Sequence, residues 1–328
     1  MKICVYFDPK HSTTFEGARL RKNIKGALER EKIQYTKNII DSYDIVHFIS
    51  LNDEAKINDT KENNIPVVFS ALYCESDKEA ETLTEIDNKF VLSKRAIKLL
   101  NKVDVILVSD DLSKSFLLNN NINARIEVLS PGVNINRFIG LDELGKNIFN
   151  NYFQVPLDQK IVTSICSNID KNLKKKLIEI AEGCPDFKFY IITDKKNPLL
   201  GSNLPANLKI VPLINTEIYC SLMHKASIFL ALDNTYHNPI TLLDAAASKT
   251  QIVAVKPYEL NESMFDELCV YKVNDVNEAI KIINQLSNNE LEYKVDEAFE
   301  TAKKHSLENV GKKLKEIYLS LMEETKND

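Results

Sequence analysis

The stretch DNTYHNPITLLDAAASKTQIVA, residues 233–254, decides the fold. It follows an apolar run, ASIFLAL (226–232), and it leads into a second, QIVAV (251–255). Between the two lie a polar loop and a small-residue helix predicted over 239–248. Two buried strands joined through one helix make a parallel βαβ unit, the building block of an α/β fold. Asn238 can cap the helix, and Pro239 suits its first position, where the missing N–H costs nothing. A helix opened in this way can aim its first amides, those of residues such as Ile240 and Thr241, at a phosphate. Asp244 lies one turn further in, near the same mouth.

Outward from this unit the pattern recurs. In the first half the strands are KICVYF (2–7), a weaker run at 34–37, DIVHFIS (44–50), IPVVFSA (65–71), VDVILVS (103–109) and ARIEVLS (124–130). Helices are predicted between them near 15–32, 53–63, 77–102 and 110–120. The second half restarts at KIVTSIC (160–166) and continues through FKFYIIT (187–193), LKIVPL (208–213) and the two strands above to CVYKV (269–273). Its helices fall near 170–183, 215–225, 239–248, 259–267 and 275–287. Each half holds enough strands for its own doubly wound parallel sheet. The polar, glycine-bearing segment 139–158 reads as the connection, and 306–326 reads as one long amphipathic helix. The predicted organisation is a first domain over 1–145, a second over 146–305, and a terminal helix over 306–328 that crosses back to the first.

The totals narrow the function. A chain of 328 residues that is 44% apolar can bury a large core. With 42 basic and 47 acidic side chains the balance is close to neutral, which argues against a nucleic-acid binder. The six cysteines are scattered, with no CxxC pair and no Cys/His cluster, so buried thiols are predicted and no metal site. There is no GxGxxG and no GxxxxGK[ST], and the chain has only eight glycines, which removes most support for dehydrogenases and P-loop kinases. No apolar run reaches the length of a spanning helix, and MKICVYFDP reads as a strand rather than a signal peptide. A cytoplasmic protein is predicted, one able to rest peripherally on the inner face of a membrane.

Four sites together resemble the family-four-type retaining glycosyltransferases of the GT-B fold. LSPGVNINRF (129–138) is similar to the family's pNGVDxxxF, with a turn at Pro131-Gly132. DIVHF (44–48) is similar to its D-[IV]-[VI]-H strand end, and TLLDAAASKTQIVA (241–254) to its LEAxAxGxPVV unit. AKKHSLENVGKKLKEIY (302–318) resembles its closing helix. The nearest likeness is to Gram-positive or mollicute-type enzymes that glycosylate lipids. The resemblance implies two Rossmann-like lobes facing a central cleft, with no metal and no other cofactor. It implies a UDP-hexose donor on the second lobe, and on the first a glycolipid or cell-envelope glycan acceptor.

Residue by residue, the resemblance implies that Asp244 binds the ribose. Lys171 would neutralise the diphosphate together with the helix start at Asn238, Ile240 and Thr241. Tyr236 and His237 would face the sugar, and His47 would line the cleft. The sequence departs from the family at several of these points. Tyr236 stands where the family has a Glu, and Asp244 is one methylene shorter than the second Glu. Asn172 replaces one of the paired cations, and Ser164-Ile165-Cys166 replaces a glycine-rich loop. These departures keep a rival open: a weak or inactive accessory subunit that partners a homologous, active glycosyltransferase. Each residue also has a plainer reading. His47 fits a hydrogen-bonded core histidine, His237 an exposed loop residue, Lys171 a solvated helix face, and Asp244 a carboxylate that complements a helix dipole. The basic stretches 19–30 and 89–102 fit either ordinary surface helices or a membrane-facing surface.

Overall fold

Strands buried on both faces read as continuous apolar runs, and the central strands of the two six-stranded sheets are of that kind. The computed structural model describes residues 1–7, 15–70, 83–86, 89–166, 169–193, 203–212, 214–232, 239–256 and 264–327. The chain separates into two compact units. One comprises Met1–Val133, Thr235–Ile240 and His305–Asp328, and the other Asn134–Asn234 and Thr241–Lys304. The division at Val133 falls ahead of the boundary near 145 read from the sequence.

The first unit begins with β1 (Lys2–Tyr6), α1 (Phe15–Arg30), β2 (Gln34–Thr36), β3 (Ile45–Phe48), α2 (Glu54–Glu62) and β4 (Val67–Ser70). It continues with β5 (Leu83–Ile86), β6 (Lys89–Leu92), α3 (Lys94–Leu100), β7 (Val105–Val108), α4 (Asp111–Asn119) and β8 (Arg125–Val128). Six of these strands form a parallel sheet in the order β2-β1-β3-β4-β7-β8. Alternation of side chains along each strand sends Ile3, Val5, Ile45, Val68, Val105 and Leu107 to one face. Cys4, Val46, Phe48, Val67, Phe69 and Ile106 go to the other, against α2, α3 and α4.

The second unit runs α5 (Asn136–Ile139), α6 (Glu143–Phe153), β9 (Lys160–Ile165), α7 (Lys171–Gly183), β10 (Phe187–Thr193), β11 (Leu208–Pro212) and α8 (Thr216–Lys225). It then runs β12 (Ile228–Ala231), α9 (Ile240–Ala247), β13 (Gln251–Val255), β14 (Val270–Val273), α10 (Val276–Ser287) and α11 (Val295–Lys304). Its parallel sheet has the order β11-β10-β9-β12-β13-β14. Leu177 and Ile180 of α7 and Ile283 and Leu286 of α10 pack on one face of it, over Val162, Ile191, Ile228 and Val253.

The last helix, α12 (Leu307–Asn327), belongs to the first unit. Its buried stripe of Leu307, Val310, Leu314, Tyr318 and Leu321 joins Leu20, Ile24 and Leu28 of α1 on the sheet. Two glycines allow the close approach of α1 and α12. A Cβ on Gly311 would lie 2.6 Å from the Ala27 carbonyl oxygen, and one on Gly26 would lie 2.8 Å from Leu307. The Pro131-Gly132 turn fastens the start of α12. Val133 donates to the His305 carbonyl at 3.0 Å, Leu307 donates to the Val133 carbonyl at 3.0 Å, and the Asn23 side chain donates to the Gly132 carbonyl at 2.7 Å.

Three sequence expectations are corrected. Of the helix read over 77–102, residues 77–82 and 87–88 lie outside the described residues, 83–86 and 89–92 are the strands β5 and β6, paired antiparallel with Ile86 opposite Lys89, and α3 is helical as read. The β-prone tetrapeptides LTEI and KFVL flank the turn formers Asp87 and Asn88, a hairpin signal that outweighed helical spacing. The connection read over 139–158 contains α6, capped by Asp142, which accepts from the Gly145 amide at 2.7 Å. Gly145 therefore lies in a capped first helical turn, and Phe149 is buried. Of the helix read over 259–267, residues 259–263 lie outside the described residues, and 264–267 form no helix. The low glycine count has its explanation in helix C-termini. Lys32, Asn64, Asn121, Lys249 and Asn289 all adopt left-handed conformations with φ between 55° and 61°, where glycine is the usual residue.

Candidate functional site

In the second sheet the strand order reverses between β9 and β12, which pair directly and in parallel. That reversal is the topological switch point, the place outside the carboxyl ends of the strands where ligands of open α/β sheets bind. The chain leaves β9 for α7 and β12 for α9, so both helices start at this edge. Lys171 is the first residue of α7 and is exposed. Asp170 caps the helix, accepting from the Leu173 amide at 2.7 Å, so the N-terminus already carries one carboxylate and Lys171 supplies the positive charge. Ser164 and Cys166, at the carboxyl end of β9, are buried, with Oγ and Sγ 3.6 Å apart.

The helix α9 begins at Ile240, one residue after Pro239. Ile240 counts with the first unit and lies in its core, and Thr241 is half-buried. Ala245, Ala246 and Ala247 are fully buried, since small side chains let the helix lie close on its neighbours. Asp244 is only 4% exposed, and its Oδ2 accepts from the Tyr219 hydroxyl of α8 at 3.0 Å. Tyr219 in turn stands edge-on to Phe138 of the PGVNINRF motif, with centroids 6.4 Å apart. The structure thus places Lys171, Thr241 and Asp244 on the two helices that leave the switch point. Tyr236, His237 and Asn238 lie outside the described residues.

His47 is in β3 of the first unit, fully buried on the face covered by α1 and α12. Both ring nitrogens are engaged, Nδ1 with the Tyr318 hydroxyl at 2.7 Å and Nε2 with the Ser70 hydroxyl at 2.6 Å. Burial pulls its pKa down to about 3, so the ring is neutral across the physiological range. A small cavity beside it, bounded by Ser70, Ser109, Ser130, Leu20 and Leu129, has room for about one water molecule. His47 in this arrangement is a satisfied core residue that ties the sheet to the terminal helix.

No protein-family model matches the chain. It is 20% identical to the processive diacylglycerol alpha-glucosyltransferase of Acholeplasma laidlawii, over 97% of this chain and 98% of that protein. Among solved structures it superposes on Anabaena HepE in complex with UDP-glucose with a TM-score of 0.70 at 13% identity, covering 98% of this chain and 100% of that one. It matches a glycosyltransferase from Rickettsia africae with a TM-score of 0.66 at 16% identity, covering 98% of both chains. The fold is that of the GT-B glycosyltransferases. The comparisons agree with one another in class, for all three proteins are glycosyltransferases or bind a nucleotide sugar.

On this GT-B scaffold two side chains escaped the sequence reading. Tyr219 lies in a helix whose residues 218–223 are all buried, so no alternation of polar and apolar residues singles it out. Tyr318 was legible in principle, being four residues beyond Leu314 on the buried stripe of α12. Among the described residues no cluster of His, Cys, Asp and Glu could hold a metal ion, and no helix is long and apolar enough to cross a membrane.

Proposed function

We propose that this chain is a retaining glycosyltransferase that moves a hexose from UDP-glucose or UDP-galactose to a glycolipid or cell-envelope glycan. The observation that carries the reading is the switch point of the second sheet, with Lys171 opening one helix and Asp244 in the next. The relative that acts on diacylglycerol supports a lipid acceptor, and the UDP-glucose complex of the HepE neighbour supports the donor. On this reading the protein works at the cytoplasmic face of a membrane.

The chemistry assigns work to each residue. The bond between the anomeric carbon and the diphosphate oxygen breaks, leaving positive charge on the sugar and negative charge on UDP. Lys171 and the amides at Ile240 and Thr241 stabilise that negative charge, and Asp244 accepts the ribose hydroxyls. The acceptor oxygen forms the new bond on the face that UDP leaves, and its proton passes to the departing diphosphate. Tyr236, His237 and Asn238 would face the sugar and the phosphates. His47, neutral and sealed, is assigned no step. With Lys171 and the helix amides assigned to the diphosphate, the proposal calls on no metal.

A second reading has one observation in its favour. Asp244 is nearly sealed and already bound by Tyr219, as a structural residue would be. An accessory subunit of a homologous glycosyltransferase would keep such a scaffold and lose turnover. The test is UDP release from UDP-glucose, UDP-galactose and UDP-N-acetylglucosamine over diacylglycerol-containing vesicles, repeated with Asp244→Ala. Release that Asp244→Ala abolishes supports the enzyme. Turnover indifferent to that change means the donor site lies elsewhere, and no turnover with any donor favours the accessory subunit.

A further inference from the structure

A buried carboxylate needs strong donors, and the direction of its second oxygen follows from how the first is held. Asp244 Oδ2 receives the Tyr219 hydroxyl at 3.0 Å, and both residues are 4% exposed. The tyrosine ring is itself held on several sides. Phe138 lies edge-on to it with an interplanar angle of 77°. Its helix is capped by Asn215, which accepts from the Ile218 amide at 2.9 Å. Two residues on, the Ser221 hydroxyl donates to the Lys146 carbonyl at 2.8 Å and accepts from the Phe149 amide at 2.9 Å, which locks α8 to α6. The phenol therefore has little freedom to move, and its hydroxyl is a fixed partner for the carboxylate.

We propose that Tyr219 is a positioning residue of the donor site, holding the Asp244 carboxylate in the one orientation that accepts the ribose hydroxyls of a nucleoside diphosphate. The inference rests on the donor-site reading above and extends it to a residue 25 positions away on another helix. A shorter acid makes such a partner necessary. An aspartate reaches less far than a glutamate and has one fewer torsion with which to correct its aim. A fixed donor on one oxygen confines the rotamer before the ligand arrives and lowers the ordering cost of binding. Phe138, in the motif that opens the second unit, supports the ring and so acts one step further back.

The experiment is calorimetric titration of UDP and of 2′,3′-dideoxy-UDP into the full chain. The proteins are the unaltered chain, Tyr219→Phe, Asp244→Asn and the double variant. The unaltered chain should prefer UDP. Tyr219→Phe should weaken UDP about 10-fold, the scale for a lost hydrogen bond to a charged group, and leave dideoxy-UDP where it was. The double variant should bind UDP no worse than Asp244→Asn alone, since the two residues act through one carboxylate. Phe138→Leu keeps the hydroxyl and loosens the ring, and it should weaken UDP in the same ribose-dependent way by a smaller factor. If Tyr219→Phe weakens both ligands equally, or neither, Tyr219 is a core tyrosine and the inference falls while the donor site stands. If the unaltered chain shows no binding at millimolar UDP, the donor-site reading fails first and takes this inference with it.

Discussion

The Nδ1 atom of His47 and the hydroxyl of Tyr318 lie 2.7 Å apart, joining the third strand of the first sheet to a helix 271 residues further along the chain. The imidazole is fully buried, and its pKa falls from 6.5 to about 3 because burial disfavours the charged ring. The folded value lies below the unfolded one, so the contribution is intact above pH 6.5 and erodes as the unfolded chain takes up a proton that the folded chain refuses. The loss runs at about 1.4 kcal/mol per pH unit from pH 6.5 toward 3. Urea unfolding at pH 7.5 and pH 5 should show about 2 kcal/mol more loss for the unaltered protein than for His47→Gln, which cannot titrate. Parallel pH dependence in the two proteins would mean that His47 is reachable by protons in the native state.

Gly311 touches the backbone of α1 so closely that any side chain must part the helices. An added Cβ would lie 2.6 Å from the Ala27 carbonyl oxygen, which cannot swing aside as a side-chain tip can. Gly311→Ala should cost about 1–3 kcal/mol, read as a lower urea midpoint with an unchanged slope. An unchanged midpoint would show that the two helices are more loosely seated than this contact implies.

The central strands of both six-stranded sheets were legible because they are buried on both faces, which gives apolar runs such as FKFYIIT and QIVAV. Helix ends were harder. With Lys or Asn at left-handed positions in place of glycine, the usual stop signal was missing at Lys32, Asn64 and Lys249. Gly140 and Gly145 then suggested a linker where helices stand. Of the proposed donor region, the Asn-Pro opening and Asp244 are local signals in the sequence. The bond from Tyr219 is not local, and nothing in the uniformly buried run 218–223 of α8 announces which residue carries it. His47 shows the same limit, since its role was fixed by Ser70 and Tyr318, both remote in sequence.

Lys171 separates catalysis from stability. It is exposed at the first position of α7, and a solvated lysine there contributes little to folding. If it neutralises the leaving diphosphate, Lys171→Ala should lower kcat about 100-fold and leave the melting temperature unmoved. Lys175, on the same helix and paired with Glu179 at 3.7 Å, gives the control, and Lys175→Ala should change neither quantity. Equal rates for the two variants would remove Lys171 from the site.

Lys32 ends α1 with φ of 55°. The Ile33 amide reaches back to the Leu28 carbonyl at 2.9 Å and the Lys32 amide to the Glu29 carbonyl at 3.1 Å, the bond pair of a Schellman motif. Leu28 and Ile33 are both buried in the core beneath, so the motif is anchored and its left-handed residue cannot relax. An L side chain at that position carries about 1–2 kcal/mol of strain that glycine does not. Glycine in turn gives the unfolded chain more freedom, worth about 0.4–1 kcal/mol against folding. Lys32→Gly should therefore stabilise the protein by about 0.5–1 kcal/mol, a small rise in melting temperature, with no change in donor binding, because the site it alters lies in the first unit. A fall in melting temperature would show that the exposed lysine makes contacts in solution worth more than the strain it carries.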